Sequence, residues 1–321
     1  MLLAYRSENG AISVEAIAAS ANLTRMPGLL WLDLINPSEA EEACVERCIG
    51  INAMTSSERA ALEESSRFYE ENDALVLTAD VTMQLPDGDR LKSEPITFIL
   101  SQNLLVTVRD IKPRAFEIGH GRASARIEKA QNGADVFVAL IESLIERVAD
   151  RLSASGHQAN AQAARIFNVG ARGPNLKCEL QEIGQIGANL ALSHESAASL
   201  QRLTGFAEHC HARHHLAPER LRALRKDVEQ LERQAEALQN TLNFQLDAML
   251  GITSASQNNV LKSLSVATMA FVPPTLVASI FGMNFDAMHW FHAPWGPWAA
   301  SAIMIGSVLV VFSFARWHRW L

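Results

Sequence analysis

Apolar positions recur with helical spacing over the middle of the chain. Val136, Leu140, Leu144, Val148 and Leu152 fall at a strict four-residue interval, which predicts an amphipathic helix within Ala134 to Ala164. A second helical stretch runs from Leu176 to about Ala212. Pro218 restarts the chain, and no helix breaker follows until Gly251. Upstream the period changes. Gly28 to Ile35 is an apolar run of strand length, and Asn36, Pro37 and Glu39 after it predict a capped helix start. Thr55 to Glu58 predicts another. Ala74 to Leu85, Glu94 to Leu100 and Leu104 to Arg109 alternate and are rich in β-branched residues. Separated by Pro86-Asp87-Gly88-Asp89 and Ser101-Gln102-Asn103, they predict antiparallel strands. The expected body is an α/β domain, a central sheet flanked by helices.

From Leu221 the pattern becomes Leu221, Leu224, Val228, Leu231, Ala235, Leu238 and Leu242, spaced alternately three and four with polar residues between. This heptad seam leaves two options open, packing along copies of itself or along neighbouring helices. Beyond it the polar residues thin out. Ser263 to Phe285 and Ala287 to Ala315 carry no full charge, and roughly 20 apolar residues cross a bilayer. Two spans joined by a tight loop are predicted, the second centred on Trp298 to Phe314. Lys262 precedes the first. Arg316, His318 and Arg319, interleaved with Trp317 and Trp320, follow the second. Basic and aromatic flanks of this kind put both ends in the cytoplasm and the loop outside.

Charge divides at the same place. The chain has a net charge of −7, made of −8 before Ser263 and +1 from there on. An acidic body has no basic excess to displace counterions from phosphates, so nucleic acid is not an expected partner. With 48% hydrophobic and 20% charged residues, neither wholesale disorder nor a fully embedded carrier is expected. Cys44, Cys48, Cys178 and Cys210 are too few and scattered for a disulfide framework and read as reduced cytosolic thiols. The start, MLLAYRSENG, has only a short apolar stub and no recognisable signal peptide. No Gly-rich phosphate loop, nucleophile elbow or metalloprotease helix is present, so an enzyme is not expected.

The first span carries the informative pattern. Asn258, Leu261, Ser265, Thr268, Val272, Thr275 and Ser279 continue the three-four spacing, placing four hydroxyls and an amide on one stripe of an otherwise apolar helix. Such residues either glue neighbouring helices or face water. A water-facing stripe needs several copies around an axis, since two spans cannot enclose a pore. Pro273-Pro274 lies inside the span, where neighbours or pore water can satisfy the freed carbonyls.

The run Phe271-Val272-Pro273-Pro274-Thr275-Leu276-Val277-Ala278-Ser279-Ile280-Phe281-Gly282-Met283-Asn284-Phe285 resembles the signature of the CorA family of magnesium transporters, whose first membrane helix ends in Gly-Met-Asn. The tail Arg316-Trp317-His318-Arg319-Trp320-Leu321 is similar too. So are Trp31-Leu32-Asp33-Leu34, Ser65-Ser66-Arg67 and Leu104-Leu105-Val106-Thr107-Val108-Arg109, in the same order.

This resemblance implies a homopentamer in the bacterial inner membrane, with lipid around it and both termini cytoplasmic. Residues 1–215 would form a cytosolic funnel domain, 216–262 a stalk helix continuous with the first span, and 263–285 that span. Residues 286–297 would be the outside loop, 298–315 the second span and 316–321 the basic tail. Gly282, Met283 and Asn284 would form the selectivity filter. Asn258, Leu261, Leu264, Ser265, Thr268, Val272, Thr275 and Ser279 would line the pore, and Mg2+ bound between subunits would hold it shut. Candidate carboxylates for that regulatory ion are Asp80, Asp87, Asp89, Asp227 and Glu229.

The chemistry agrees with the cargo. Mg2+ dehydrates reluctantly and prefers oxygen, so a ring of Asn284 carboxamides gripping the ion through its waters would be selective without trapping it. No organic cofactor is needed, because the membrane potential supplies the drive. Co2+ and Ni2+ are further expected cargoes. Two departures offer softer ligands, although the loop histidines are read first as interfacial residues. The loop carries His289 and His292 with only Asp286 acidic, and a His209-Cys210-His211, His214-His215 cluster precedes Pro218. That cluster is read as a solvated turn rather than a metal site. The alternatives are a Zn2+ or other transition-metal transporter of the same fold and a non-conducting membrane-anchored sensor.

Overall fold

The structure is a computed structural model that describes residues 1–8, 11–21, 23, 26–52, 66–84, 91–113, 116, 125–167, 176–283 and 295–317. The predicted box at Thr55 to Glu58, Ser65, the Pro86 to Asp89 turn, residues 286–294 of the outside loop and the last four residues lie outside these. The chain divides into two compact units, Met1–Gln245 and Leu246–Leu321.

The first unit is built on a seven-stranded sheet. Its strands are β1 (Leu2–Glu8), β2 (Ala11–Ile17), β3 (Leu29–Ile35), β4 (Phe68–Glu71), β5 (Ala74–Gln84), β6 (Leu91–Ser101) and β7 (Leu104–Arg109), in the order β2-β1-β3-β7-β6-β5-β4. All neighbours are antiparallel except β3 and β7, which run parallel with Asp33 opposite Thr107 and Leu34 opposite Val108. The helices are α1 (Glu39–Ile49), α2 (Gly133–Phe167), α3 (Leu176–His209), α4 (Pro218–Phe281) and α5 (Gly296–Trp317).

Alternation along the strands assigns each side chain to one of two cores. Leu32, Leu34, Val76, Ile99 and Val106 pack with Cys44 and Val45 of α1 on one face. Trp31, Leu75, Leu77, Phe98 and Leu105 pack on the other with the α2 stripe Val136, Leu140, Leu144, Val148 and Leu152. Helices therefore cover both faces, as the α/β reading requires. The heptad seam belongs to this second core. Leu221, Leu224, Val228, Ala235 and Leu242 are buried in it, and Leu231 and Leu238 pack against it. Of the two options the seam left open, neighbouring helices of the same chain are the ones observed. The Gln245 amide donates to the Ala159 carbonyl of α2 at 3.1 Å and extends the same contact.

Local chemistry sets several element ends. The cap of α1 is Ser38, two residues past the expected Asn36, and Glu41 reaches back to accept from the Ser38 N–H at 2.9 Å. Asn36 instead adopts a left-handed φ of 45° and donates its N–H to the Arg109 carbonyl at 2.8 Å, joining the ends of the parallel pair. At the start of α2, Gly133 donates to the Asn103 carbonyl at 2.6 Å. A Cβ there would come within 2.4 Å of the Leu105 amide nitrogen, so only glycine lets the helix begin against the β6–β7 turn.

Helix α3 also tends the sheet. Pairing of β4 with β5 ends at Leu77, and beyond it the Asp80 N–H donates to Ser199 Oγ at 2.9 Å. Asp80 lies opposite Pro95, which sits just before β6 begins to pair with β7 and so costs the ladder no bond there.

In the second unit, α4 continues past Gly251 and through Pro273-Pro274 to Phe281, and α5 follows. Both are long and apolar enough to cross a membrane.

Candidate functional site

The first-span segment of α4 has two faces. Val266 and Ala270 are buried, and Pro273, Pro274, Val277 and Phe281 are half-buried. At 100° per residue these form one stripe. Asn258, Leu261, Leu264, Ser265, Thr268, Val272, Thr275 and Ser279 are all exposed, and their stripe is centred roughly 180° away. The surface that the helix buries is therefore the one opposite its hydroxyls. Leu264, Ala267, Thr268, Phe271, Val272, Thr275, Leu276 and Ser279 line an open groove of about 690 Å3 along the exposed side. All eight predicted pore-lining residues thus share one outward face.

Two of the four hydroxyls on that face have a defined polarity. Thr268 Oγ1 donates to the Leu264 carbonyl at 2.9 Å and Thr275 Oγ1 to the Phe271 carbonyl at 2.7 Å. With each proton turned back to its own helix, what remains outward is the oxygen as an acceptor. A hydrated cation presents water protons on its outside, so acceptors are the groups that can hold it without removing its shell.

The helix ends in two bonds. The Gly282 N–H donates to the Ala278 carbonyl at 2.9 Å and the Met283 N–H to the Ile280 carbonyl at 3.3 Å. A Cβ on Gly282 would lie 3.2 Å from the Ala278 oxygen, so a side chain crowds this final turn. Met283 is exposed in the single chain. Asn284, Asp286, His289 and His292 lie outside the described residues.

The candidate regulatory carboxylates are dispersed. Asp80 on β5 is half-buried and ion-paired with Arg67, a partner that sequence reading did not supply. Asp227 is exposed and Glu229 half-buried on α4, and Asp87 and Asp89 lie outside the described residues. Among the described residues no group of three or more His, Cys, Asp or Glu side chains is arranged to hold a metal ion.

The motifs of the body that accompany the membrane signature form one buried network. Arg109 clasps Asp33 with Nε on Oδ1 at 2.9 Å and Nη2 on Oδ2 at 2.6 Å, both residues being almost wholly buried. Thr107 Oγ1 donates to the same Oδ1 at 2.7 Å and accepts from Trp31 Nε1 at 2.8 Å. Trp31 stacks on Tyr5 with centroids 3.9 Å apart, and the Arg109 guanidinium sits 4.5 Å over the Phe116 ring. Burial, reinforced by the Asp33 charge and opposed by Arg109, pushes the Tyr5 hydroxyl far above its ordinary range, so it stays neutral. These residues stitch the parallel strands β3 and β7 together. Their role is architectural.

Comparison with known proteins agrees with this geometry. The model of the family described as CorA-like Mg2+ transporter protein matches residues 27–316. Proteins named magnesium transport protein CorA from Yersinia pseudotuberculosis and Wolinella succinogenes are 28% and 24% identical, each over 100% of both chains. The complete CorA magnesium transporter structure from Methanocaldococcus jannaschii superposes with a TM-score of 0.75 at 17% identity, over 100% of this chain and 99% of that one. Over nine-tenths of its length, then, and with the membrane signature at its helix end, the chain belongs to the CorA family, a family of membrane transporters and not of enzymes.

Proposed function

We propose that the chain forms a homopentameric channel in the bacterial inner membrane that admits Mg2+, and with it Co2+ and Ni2+, to the cytosol. The observation that carries this reading is the acceptor-bearing stripe of α4, exposed on the side opposite to the surface the helix buries. In lipid an exposed polar stripe is costly, and copies arranged about an axis turn it toward water. The full length of relatives named as magnesium transporters supports the choice of ion.

In this reading the hydrated ion enters through a ring of Asn284 carboxamides carried by Gly282 and Met283. It passes Ser279, Thr275, Thr268 and Ser265, then the apolar level of Leu264 and Leu261, and leaves at Asn258. The potential contributes about 2.3 kcal/mol per charge per 100 mV, roughly 4.6 for a divalent ion moving inward. No nucleotide is required. Both termini face the cytosol, with Lys262 and Arg316 at the inner ends of the spans.

Closure by cytosolic Mg2+ belongs to the same proposal. Asp80 already holds Arg67, and no three-ligand group exists among the described residues of one chain. A regulatory ion is therefore assigned to carboxylates brought together between subunits; exposed Asp227 and half-buried Glu229 lie on different faces of α4, so each would have to meet a carboxylate of another subunit.

The test is ion uptake by purified protein in liposomes, with Mg2+, Co2+, Ni2+ and Zn2+ compared. Mg2+ uptake should rise with an inside-negative potential, and Asn284→Ala should abolish selectivity among these ions. Wild-type protein that runs as a dimer and conducts no divalent ion would overturn the channel reading in favour of a membrane-anchored sensor.

A further inference from the structure

The histidine-rich connection between α3 and α4 is not the solvated turn expected from its sequence. Cys210 and His214 are buried, and His214 Nε2 lies 3.0 Å from Glu70 Oε1 of the edge strand β4. That contact closes the body on itself. A surface that points outward instead lies near the C-terminal end of α5.

Helix α5 buries one side. Ala300 and Ala315 are buried and Met304 and Val311 half-buried, and at 100° per residue the four form a single stripe. Leu309, Val310, Ser313, Phe314 and Trp317 line an open groove of about 370 Å3, centred roughly 140° round the helix from that stripe. Leu309, Val310, Phe314 and Trp317 are all exposed. At 1.5 Å per residue the groove runs about 12 Å, which fits within the roughly 15 Å of hydrocarbon in one leaflet. Arg316, also exposed, comes seven residues after Leu309 and so stands two turns on along the same side of the helix. The apolar groove therefore ends beside a guanidinium.

Charge decides what fits there. The sequence has no Asp or Glu between Asp247 and Asp286, and none after Asp286, so the spans hold no carboxylate to meet Arg316. A second copy would bring the same spans, with a Lys262 and an Arg316 of its own, and would add like charge. Shape points the same way. Small residues let membrane helices approach closely, and here Ala300 and Ala315 are on the buried stripe. The groove is lined mostly by bulky side chains, which suit a flexible hydrocarbon chain. Trp317 closes its basic end, where an indole sits well at headgroup level, and Arg319 adds a second positive charge to the segment that follows.

We propose that an anionic phospholipid of the inner leaflet docks in this groove, one acyl chain lying along Leu309 to Trp317 and its phosphate at Arg316. Arginine meets a phosphate with paired N–H donors. The positive charge of the tail favours a net-negative headgroup over a zwitterionic one. Assignment to the inner leaflet rests on the cytoplasmic position of the termini proposed above, whereas the docking itself requires no ion flux.

The test reconstitutes the full-length protein in phosphatidylcholine vesicles that hold a small fraction of a photoactivatable probe. The probe is phosphatidylglycerol or phosphatidylcholine with a diazirine in one acyl chain. After irradiation, digestion and mass spectrometry should find residues 309–317 labelled about fivefold more by the phosphatidylglycerol probe. Arg316→Gln should remove most of that preference and leave the labelling of residues 301–307 unchanged. Ser313→Trp fills the groove and keeps the charge. It should lower labelling of 309–317 by both probes, and it serves if the first variant fails to fold. Equal labelling of the unmodified protein by the two probes overturns the proposal, as does an undiminished preference in Arg316→Gln or undiminished labelling in Ser313→Trp. Residues 309–317 left unlabelled while 301–307 are labelled would overturn it too, and would give the groove to a neighbouring copy. No transport is measured, so failure of the channel reading and failure of this one are told apart.

Discussion

Thr107 and Thr275 are the same residue in opposite circumstances. Thr107, on β7, is wholly buried, and its hydroxyl both donates to Asp33 and accepts from Trp31. Thr275, on α4, is exposed, and its hydroxyl donates only to the Phe271 carbonyl one turn back. The first hydroxyl has both its roles filled by the chain itself. The second has its donor role filled and its acceptor role directed outward. Polar residues in the sheet domain close on one another and hold the fold, whereas those on the span leave an opening for something else. On the channel reading proposed above, the difference separates stability from transport, and mutations in the two places should have different readouts.

The largest effect should come from Asp33→Ala. It leaves the Arg109 guanidinium buried without its carboxylate, which costs on the order of 3–5 kcal/mol. Chemical denaturation of the detergent-solubilised chain should record that loss. Addition of Arg109→Met should recover part of it, and failure to recover would break the view of the pair as a closed unit. Thr275→Val should behave in reverse. Its midpoint of unfolding should stay within about 0.5 kcal/mol of wild type. Mg2+ uptake into liposomes should drop at least about threefold, because an acceptor facing the ion's waters is gone. Unchanged uptake would place Thr275 with the packing residues instead. Trp31→Phe is the mildest. It keeps an aromatic ring on Tyr5, removes the bond to Thr107 and should lower stability by about 1 kcal/mol with no change in uptake.

What sequence reading reached and what it missed divide by distance along the chain. The stripe from Asn258 to Ser279 and the α2 stripe from Val136 to Leu152 are periodic within one helix, so spacing alone exposes them. Strands β5, β6 and β7 were legible from alternation and turns. Strand β1 was not, because Tyr5-Arg6-Ser7 interrupts its apolar run, although Leu2, Ala4 and Tyr5 are buried between β2 and β3. Strand β4, only Phe68–Glu71, is too short and acidic to announce itself. The ion pairs were hidden for another reason. Asp33 and Arg109 are 76 residues apart and Glu70 and His214 are 144 apart, and nothing local in a sequence ties a carboxylate to a distant cation. For the same reason Asp80 could be nominated as a metal ligand on its charge alone, while its neighbour Arg67 became visible only in the fold.

The bond from Asp80 N–H to Ser199 Oγ bears on how the protein survives synthesis. The Thr78 N–H still donates to the Arg67 carbonyl at 2.8 Å; past it no strand among the described residues lies on the outer side of β5, and amides on a sheet edge invite pairing with another unfinished chain. A serine from α3 occupies one of those amides once the helix is in place. Until α3 has emerged from the ribosome and docked, the Asp80 amide is left open to a sibling chain.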